Sequence, residues 1–439
     1  MSTICAISTP YGAGGIAVIR VSGEEAISIV DRIFSGRKQL AEVTPNTVHY
    51  GKIQRADETL DEVLCSVFKA PHSFTGEDTV EIACHGSLFI QQELLRWLID
   101  AGCRAAEPGE FTRRAFLNGK MDLTQAEAVA DLIAAQSKAE KDLALSQLRG
   151  SVSNELASLR DRLLHFTSLI ELELDFADHE ELEFADRTEL NALAQEIETK
   201  LAALLASFRT GNAIRHGIPV AIIGAPNVGK STLLNALLGE QRAIVSDIQG
   251  TTRDTIEDTL IIDGILFRLI DTAGLRETND TIENLGIERS VRAAQNAQII
   301  IYLSDNGHWT LDIGHSGTII KVLNKADLLK CSEISNQYSE LLISAKNGEI
   351  EPLRKELVRV AKESMQTSAV MLSNARHYEA ITRAHDAIER VQVGLRDGLS
   401  GELLSLDLQD CLNALGEVTG QITNQEVLAN IFTKFCIGK

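Results

Sequence analysis

No run of about 18 apolar residues occurs anywhere in the 439-residue chain, so no membrane-spanning helix is expected. The opening Met1-Ser2-Thr3-Ile4-Cys5 lacks a basic-then-apolar leader, and the expectation is a cytoplasmic protein. Cysteine is sparse and unpatterned: seven residues (5, 65, 84, 103, 331, 411 and 436), odd in number, with no C-x-x-C. That excludes a disulfide framework or a zinc ribbon and fits reduced thiols. Positive charge is also short, 42 Lys and Arg against 62 Asp and Glu, for a net charge of −20. By segment the balance is −3 for 1–120, −10 for 121–214, −4 for 215–368 and −3 for 369–439. No segment carries the basic footprint of an autonomous nucleic-acid binder, so any RNA contact is local or shared with a partner.

What is present is an apolar content of 44% arranged in alternating strand and helix signals, enough for two to four domains. Residues 1–120 read as a small α+β domain. Its strands are expected at 4–7, 16–21, 48–53, 63–68 and 80–84, and its helices at 24–34 and 87–101. Gly12-Ala13-Gly14-Gly15 between the first two strands is not a G-x-G-x-x-G and reads as a tight turn. Residues 121–214 are helical, opening on an expected capping box of Thr124 with Glu127, and the acidic stretch 175–186 reads as a solvated connector. An α/β domain over 215–368 follows, and 369–439 returns to amphipathic helices. Helices on both sides of an intact α/β domain predict one bundle, discontinuous in sequence, with Leu403, Leu404, Leu408, Leu412 and Leu415 in its core. The predicted class is therefore multidomain α/β.

The inserted domain carries the chemistry. The apolar run 218–223 precedes Gly224-Ala225-Pro226-Asn227-Val228-Gly229-Lys230-Ser231, which opens a helix over 232–238 stopped by Gly239. This is the phosphate-binding loop in its required strand–loop–helix context. Its glycines let backbone N–H groups close around a di- or triphosphate at a helix N-terminus. Lys230 reaches the terminal phosphates, and Ser231 offers its hydroxyl to Mg²⁺. Four further elements follow in order. Gly250-Thr251-Thr252 is a switch loop with Thr252 for the metal, and Asp271-Thr272-Ala273-Gly274 sits at a strand end on the Mg²⁺ side. Asn324-Lys325-Ala326-Asp327 places Asp327 against a guanine ring, and Ser344-Ala345-Lys346 completes the base pocket. The set specifies a Ras-like GTPase domain, a parallel-type sheet with flanking helices. The Asn-Lys-x-Asp element argues against ATP.

The position after Gly274, where many small GTPases carry a water-orienting Gln, is Leu275, which neither accepts nor donates a hydrogen bond. Another group must hold the attacking water. Near the C-terminus, Cys436 beside Phe435 and Ile437 reads either as core or as a reactive thiol close to a free end, and spacing leaves both open.

Beyond the GTPase motifs, the segments 14–23 (GGIAVIRVSG), 73–78 (SFTGED), 108–120 (PGEFTRRAFLNGK) and the terminal 435–439 (FCIGK) resemble the MnmE (TrmE) family of tRNA modification GTPases, along essentially the whole chain. The resemblance implies a homodimer formed through residues 1–120. That domain would bind 5-formyl- or 5,10-methylene-tetrahydrofolate through Arg20, Glu81, Lys120 and Lys439. It implies an FAD-dependent partner, MnmG, and addition of an aminomethyl-type group to C5 of the wobble uridine in certain tRNAs, with Cys436 proposed as catalytic. It implies GTP contacts from Asn227, Val228, Gly229, Lys230, Ser231 and Thr232, and from Ser246, Asp247, Ile248, Gly250, Thr251 and Thr252. Asp271, Thr272, Ala273, Gly274, Asn324, Lys325, Asp327, Ser344, Ala345 and Lys346 complete the nucleotide set. K⁺ would be held by Asn227, Ser246, Ile248 and Thr251, and Mg²⁺ by Ser231 and Thr252. Glu283 would hold the attacking water through a second water, answering Leu275, and hydrolysis would be driven by dimerisation of the GTPase domains.

One stretch departs from the family. Only 18 residues separate Asp305 from Asn324, so a helix usual there is expected to be trimmed to a loop between two surviving strands. The alternative function is a GTPase switch in ribosome assembly, without one-carbon chemistry, and folate binding by 1–120 separates the two.

Overall fold

The computed structural model describes residues 2–175, 186–239, 258–270, 294–308, 317–328, 341–365, 370–423, 425–433, 435 and 438. They divide into two compact units, Met1–Ala130 with Gly416–Lys439, and Asp131–Leu415.

The first unit is built on β1 (Ile4–Ile7), β2 (Ile16–Ser22), α1 (Ala26–Asp31), β3 (Phe34–Gly36), β4 (Thr47–Arg55), β5 (Glu58–Phe68), β6 (Thr79–His85), α2 (Leu88–Asp100) and β7 (Arg104–Ala105). The strands form one sheet in the order β3-β4-β5-β6-β2-β1-β7, antiparallel except where β1 meets β7. Alternation decides its faces. Ala17, Ile19 and Val21 of β2 and Val80, Ile82 and Cys84 of β6 bury against residues of α1 and α2. Arg20 and Glu81, directly paired across β2 and β6, take the other face.

The expected helix over 24–34 is shorter. It ends at Asp31, and the chain turns into β3. Phe34 explains the change: its ring lies against Gly36 and Gly51, where an added Cβ would come within 2.6 and 2.4 Å of it. After β7 come α3 (Glu110–Leu117) and α4 (Leu123–Ala134). The capping box sits two residues earlier than expected. Asp122 accepts from the Gln125 amide at 2.9 Å, and the Gln125 side chain accepts from the Asp122 amide at 2.9 Å. Thr124 is inside the helix and donates its hydroxyl to Asp122. Asp122 takes the cap because its carboxylate and the Gln125 side chain satisfy each other's amides.

The second unit opens with α5 (Lys138–Leu148), α6 (Ser151–Asp175) and α7 (Arg187–His216). Then follow β8 (Ile218–Gly224), α8 (Lys230–Leu238), β9 (Asp258–Ile262), β10 (Ile265–Leu269), β11 (Ile299–Ser304), β12 (Thr318–Leu323) and β13 (Leu341–Leu342). Helices α9 (Glu351–Met365), α10 (Ala375–Asp397) and α11 (Gly401–Thr419) complete it. The sheet order is β13-β12-β11-β8-β10-β9, parallel throughout except for the β9–β10 hairpin. Strands β8 and β11 are central and buried on both faces, which is why they read as unbroken apolar runs. Strands β11 and β12 pair in parallel across the short 305–324 connection, of which 309–316 lies outside the described residues.

The helices before and after the sheet pack on one another. Phe208 of α7 stacks on Tyr378 of α10, ring centroids 4.4 Å apart. In α11, Leu404, Leu408, Leu412 and Leu415 are buried as expected, whereas Leu403 is 48% exposed. Residues 403 and 404 differ by about 100° around a helix, so only one of them faces inward. The chain re-enters the first unit, and α12 (Gln425–Phe432) places Phe432 with Leu123 and Ala126 in a small core.

Candidate functional site

Backbone geometry shapes the nucleotide loop. Gly224 closes β8 against β11 so tightly that a Cβ would fall 2.2 Å from the Leu303 carbonyl oxygen. Gly229 caps α8 at φ +98°, and a Cβ there would meet the Asn324 side-chain amide at 2.4 Å. Both positions need glycine, one for close approach and one also for the left-handed turn. Between them Asn227 is exposed at φ 63°, a conformation Asn tolerates. Val228 is buried and anchors the loop from beneath, while Ser231 and Thr232 lie in the first turn of α8. Lys230 donates to the carbonyls of Gly224 (3.0 Å) and Ala225 (2.8 Å), so the ammonium sits over its own loop. Burial pulls its pKa down. A cradle of this shape at a helix N-terminus suits a polyphosphate.

The base-side segments arrive at the same edge of the sheet. Asn324, at the end of β12, is buried and uses both ends of its amide. Its Nδ2 donates to the Val228 carbonyl (2.8 Å), and its Oδ1 accepts from the Ala345 amide (3.0 Å). Ser344, fully buried, donates to Asp327 Oδ1 at 2.7 Å, holding an otherwise exposed carboxylate in place. Lys325, at φ 63°, pairs with Asp305 at 2.8 Å, and Lys346 is exposed. A fixed carboxylate beside a phosphate cradle can accept from the ring N–H and amino group of guanine.

Several expected site residues lie outside the described residues: Ser246, Asp247, Ile248, Gly250, Thr251, Thr252, Asp271, Thr272, Ala273, Gly274, Leu275, Glu283, Cys436 and Lys439.

In the first unit, Arg20 pairs with Glu81 at 2.8 Å and lies over the rings of Phe74 (5.2 Å) and Phe111 (5.5 Å). Lys120 donates to the Pro71 carbonyl at 2.9 Å, at the other end of the loop that carries Phe74. The end of the chain reaches this unit too: the Ser8 hydroxyl donates to the Gly438 carbonyl (3.2 Å). A Cβ on Gly438 would fall 2.2 Å from the Ile7 oxygen. The Arg20–Glu81 pair is thus a partly exposed polar pair backed by the buried Phe111 ring.

Individual roles in an ion cluster behind that face escaped the sequence. Arg114, 3% exposed, binds Glu77 (3.0 Å), Glu110 (2.9 Å) and the Ser2 carbonyl (2.7 Å). Arg104 also reaches Glu110, at 2.5 Å, and Ser22 donates to Glu77 at 2.9 Å. Burial alone would push the Glu110 carboxyl up. Hydrogen bonds from Arg104, the Glu107 amide and Arg114 outweigh it and hold that pKa below the usual range. The segments 73–78 and 108–120 contain Glu77, Glu110 and Arg114, and the i,i+4 spacing pairs Glu110 with Arg114, but nothing local brings Glu77 or Arg104 to them.

The chain matches two family models, "GTP-binding protein TrmE N-terminus" over residues 3–120 and "MnmE helical domain" over 123–436. It is 55% identical to the tRNA modification GTPase MnmE of Parabacteroides distasonis, with all of both chains covered. It is 52% identical to that of Bacteroides fragilis and 50% identical to that of Flavobacterium johnsoniae, each over 100% of this chain and 99% of the relative. Among solved structures, the G domain of the T. maritima FeoB iron transporter is 24% identical over 34% of this chain and 99% of its own, with a TM-score of 0.24. With a glycine-shaped loop and the Asp327 carboxylate at one sheet edge, and matches running the length of the sequence, the chain belongs to the MnmE (TrmE) family of tRNA modification GTPases.

Proposed function

We propose that this protein hydrolyses GTP to drive tRNA modification. Together with an FAD-dependent, MnmG-like partner it adds an aminomethyl-type group to C5 of the wobble uridine in certain tRNAs, drawing the carbon from a tetrahydrofolate. It works in the cytoplasm as a homodimer, with residues 1–120 binding folate and dimerising, 215–368 hydrolysing GTP, and 121–214 with 369–439 forming the helical domain. The observation that carries this reading is Asn324 joining the nucleotide loop to the base-side loop, in a chain whose full-length relatives bear the name tRNA modification GTPase MnmE.

In this reading the amides of 227–232 and the Lys230 ammonium bind the phosphates, and Asp327, held by Ser344, reads the guanine edge. Ser231 and Thr252 would hold Mg²⁺, with Asp271 on the same side. Asn227, Ser246, Ile248 and Thr251 would hold K⁺. These ions supply positive charge beside the phosphates, where other GTPases use an arginine finger, and the folate supplies the one-carbon unit. Glu283 orients the attacking water in place of the residue missing at Leu275. Arg20, Glu81, Lys120 and Lys439 would bind the folate, and the stacking of Arg20 on Phe74 supports a ring-binding role for that face. Cys436 would act near the transferred carbon.

The test is mass spectrometry of tRNA nucleosides from a strain lacking this gene. Loss of a C5-substituted wobble uridine, restored by the wild-type chain and not by Lys230→Ala, is expected. An unchanged nucleoside profile in the deletion strain would overturn the reading.

A further inference from the structure

The β9–β10 hairpin ends in the two-residue turn Asp263-Gly264, both residues left-handed at φ 50° and 77°. This turn does not end in solvent. The Gly264 carbonyl accepts the Ala139 amide, in the first turn of α5, at 3.1 Å. Helix N-termini leave their first amides without intrahelical partners. In α5, Ser137 Oγ accepts from the Glu140 amide at 3.2 Å and donates to the Glu140 carboxylate at 3.0 Å, while Glu140 also accepts from the Gln136 amide at 2.7 Å. Ala139 is capped instead by a strand turn from the GTPase sheet. Its methyl packs against the core of that sheet. Gly264 sits so close that a Cβ would lie 3.0 Å from Lys138 Cβ, and Asp263 is tied to Lys362 of α9 at 2.5 Å.

The other end of α5 is anchored too. Gln147 donates to Ser373 Oγ (3.0 Å) and the Met371 carbonyl (3.2 Å), in the segment leading from the GTPase sheet into α10. So α5 is a bar of roughly 16 Å, held by the hairpin turn at one end and by the exit segment at the other.

The hairpin occupies most of the sequence between two candidate nucleotide-sensing positions. Strand β9 begins at Asp258, six residues after Thr252, and β10 ends at Leu269, two before Asp271. Strand β10 is pinned by parallel pairing to β8, whereas β9 is the sheet edge and pairs only with β10 among the described strands. Edge strand β9, held by one described partner strand, therefore leads from the Thr252 side of the sequence directly into the turn.

We propose that the Gly264–Ala139 contact is the coupling point through which the nucleotide state of the GTPase site acts on the helical domain, by capping or uncapping α5. The proposal rests on the GTPase reading and extends it to regulation; it does not depend on the tRNA chemistry.

The test is hydrogen exchange on the full-length chain with Mg²⁺ and K⁺, comparing GDP with a non-hydrolysable GTP analogue, nucleotide binding being verified in each sample. In the wild type, the peptide spanning the first turn of α5 is expected to exchange about fivefold faster in one nucleotide state, the scale set by loss of one helix-end hydrogen bond. Gly264→Ala, which crowds Lys138, is expected to abolish the difference with nucleotide affinity within about twofold. Should that variant fail to fold, Ala139→Pro, which removes the donor in the first turn of the helix, should give the same loss. Equal exchange of α5 in both states of the wild type, or a difference that survives in the folded variant, would overturn the proposal. Failure of either nucleotide to bind would overturn the GTPase reading beneath it.

Discussion

Asn324 donates to the Val228 carbonyl at 2.8 Å while accepting from the Ala345 amide at 3.0 Å, so one buried side chain closes the phosphate loop onto the base-side loop. Asn324→Ala leaves a buried carbonyl and a buried amide without these partners. The expected cost is about 2–6 kcal/mol of stability, each orphaned group costing roughly 1–3. GTP affinity should fall as well, because both loops lose their common anchor. Chemical denaturation with a parallel nucleotide titration checks this, and an unchanged midpoint would show that the two bonds contribute nothing net.

Asp327→Asn keeps the shape but replaces a charged acceptor by an amide. GTP binding should weaken, and xanthosine triphosphate should become the better ligand, since its ring presents an oxygen where guanine presents an amino group. Competition between the two nucleotides reads this directly. Retained preference for GTP would remove Asp327 from base recognition.

Because Leu275 cannot orient water, hydrolysis should depend on a cation and on Glu283. Replacing K⁺ by Na⁺ at matched ionic strength should slow turnover strongly, with Rb⁺ partly substituting. Glu283→Ala should lose on the order of 10²-fold in kcat, with nucleotide affinity little changed. Equal rates in K⁺ and Na⁺, or near-normal kcat in the variant, would each sink the corresponding half.

Glu110 is a buried carboxylate whose pKa is held down by Arg104, the Glu107 amide and Arg114 against the opposing effect of burial. A depressed acid stabilises the fold above its unfolded pKa, near 4.3, and that contribution disappears as pH falls through the lower folded value. Glu110→Gln should therefore destabilise the protein at pH 7 by about 3 kcal/mol, the scale for leaving a buried guanidinium short of its partner. Wild type and variant should converge below roughly pH 4. Thermal melts of both proteins across that range are the measurement. A gap that stays constant with pH would mean that the carboxylate charge is not what matters.

Local rules of the chain determined much of this molecule. Gly224, Gly229 and Lys230 stand at the spacing a phosphate cradle requires. The buried parallel strand β8 could be read because both of its faces are covered, which leaves 218–223 as one apolar run. Asp327 and Ser344 could be named because their segments each follow a strand of that sheet. Tertiary structure decided what depends on partners distant in sequence. Phe34 became a strand residue because its ring found Gly51. Arg114 pairs with Glu110 one helical turn away, which its motif allows, but its second carboxylate comes from Glu77, 37 residues distant and on another segment. The Gly264–Ala139 contact joins residues 125 apart, and no periodicity records it. A sequence pattern carries the chemistry each residue can perform with near neighbours. Which distant donor meets which acceptor is set only when the sheets and helices pack, because a buried polar group is stable only with its partner in place.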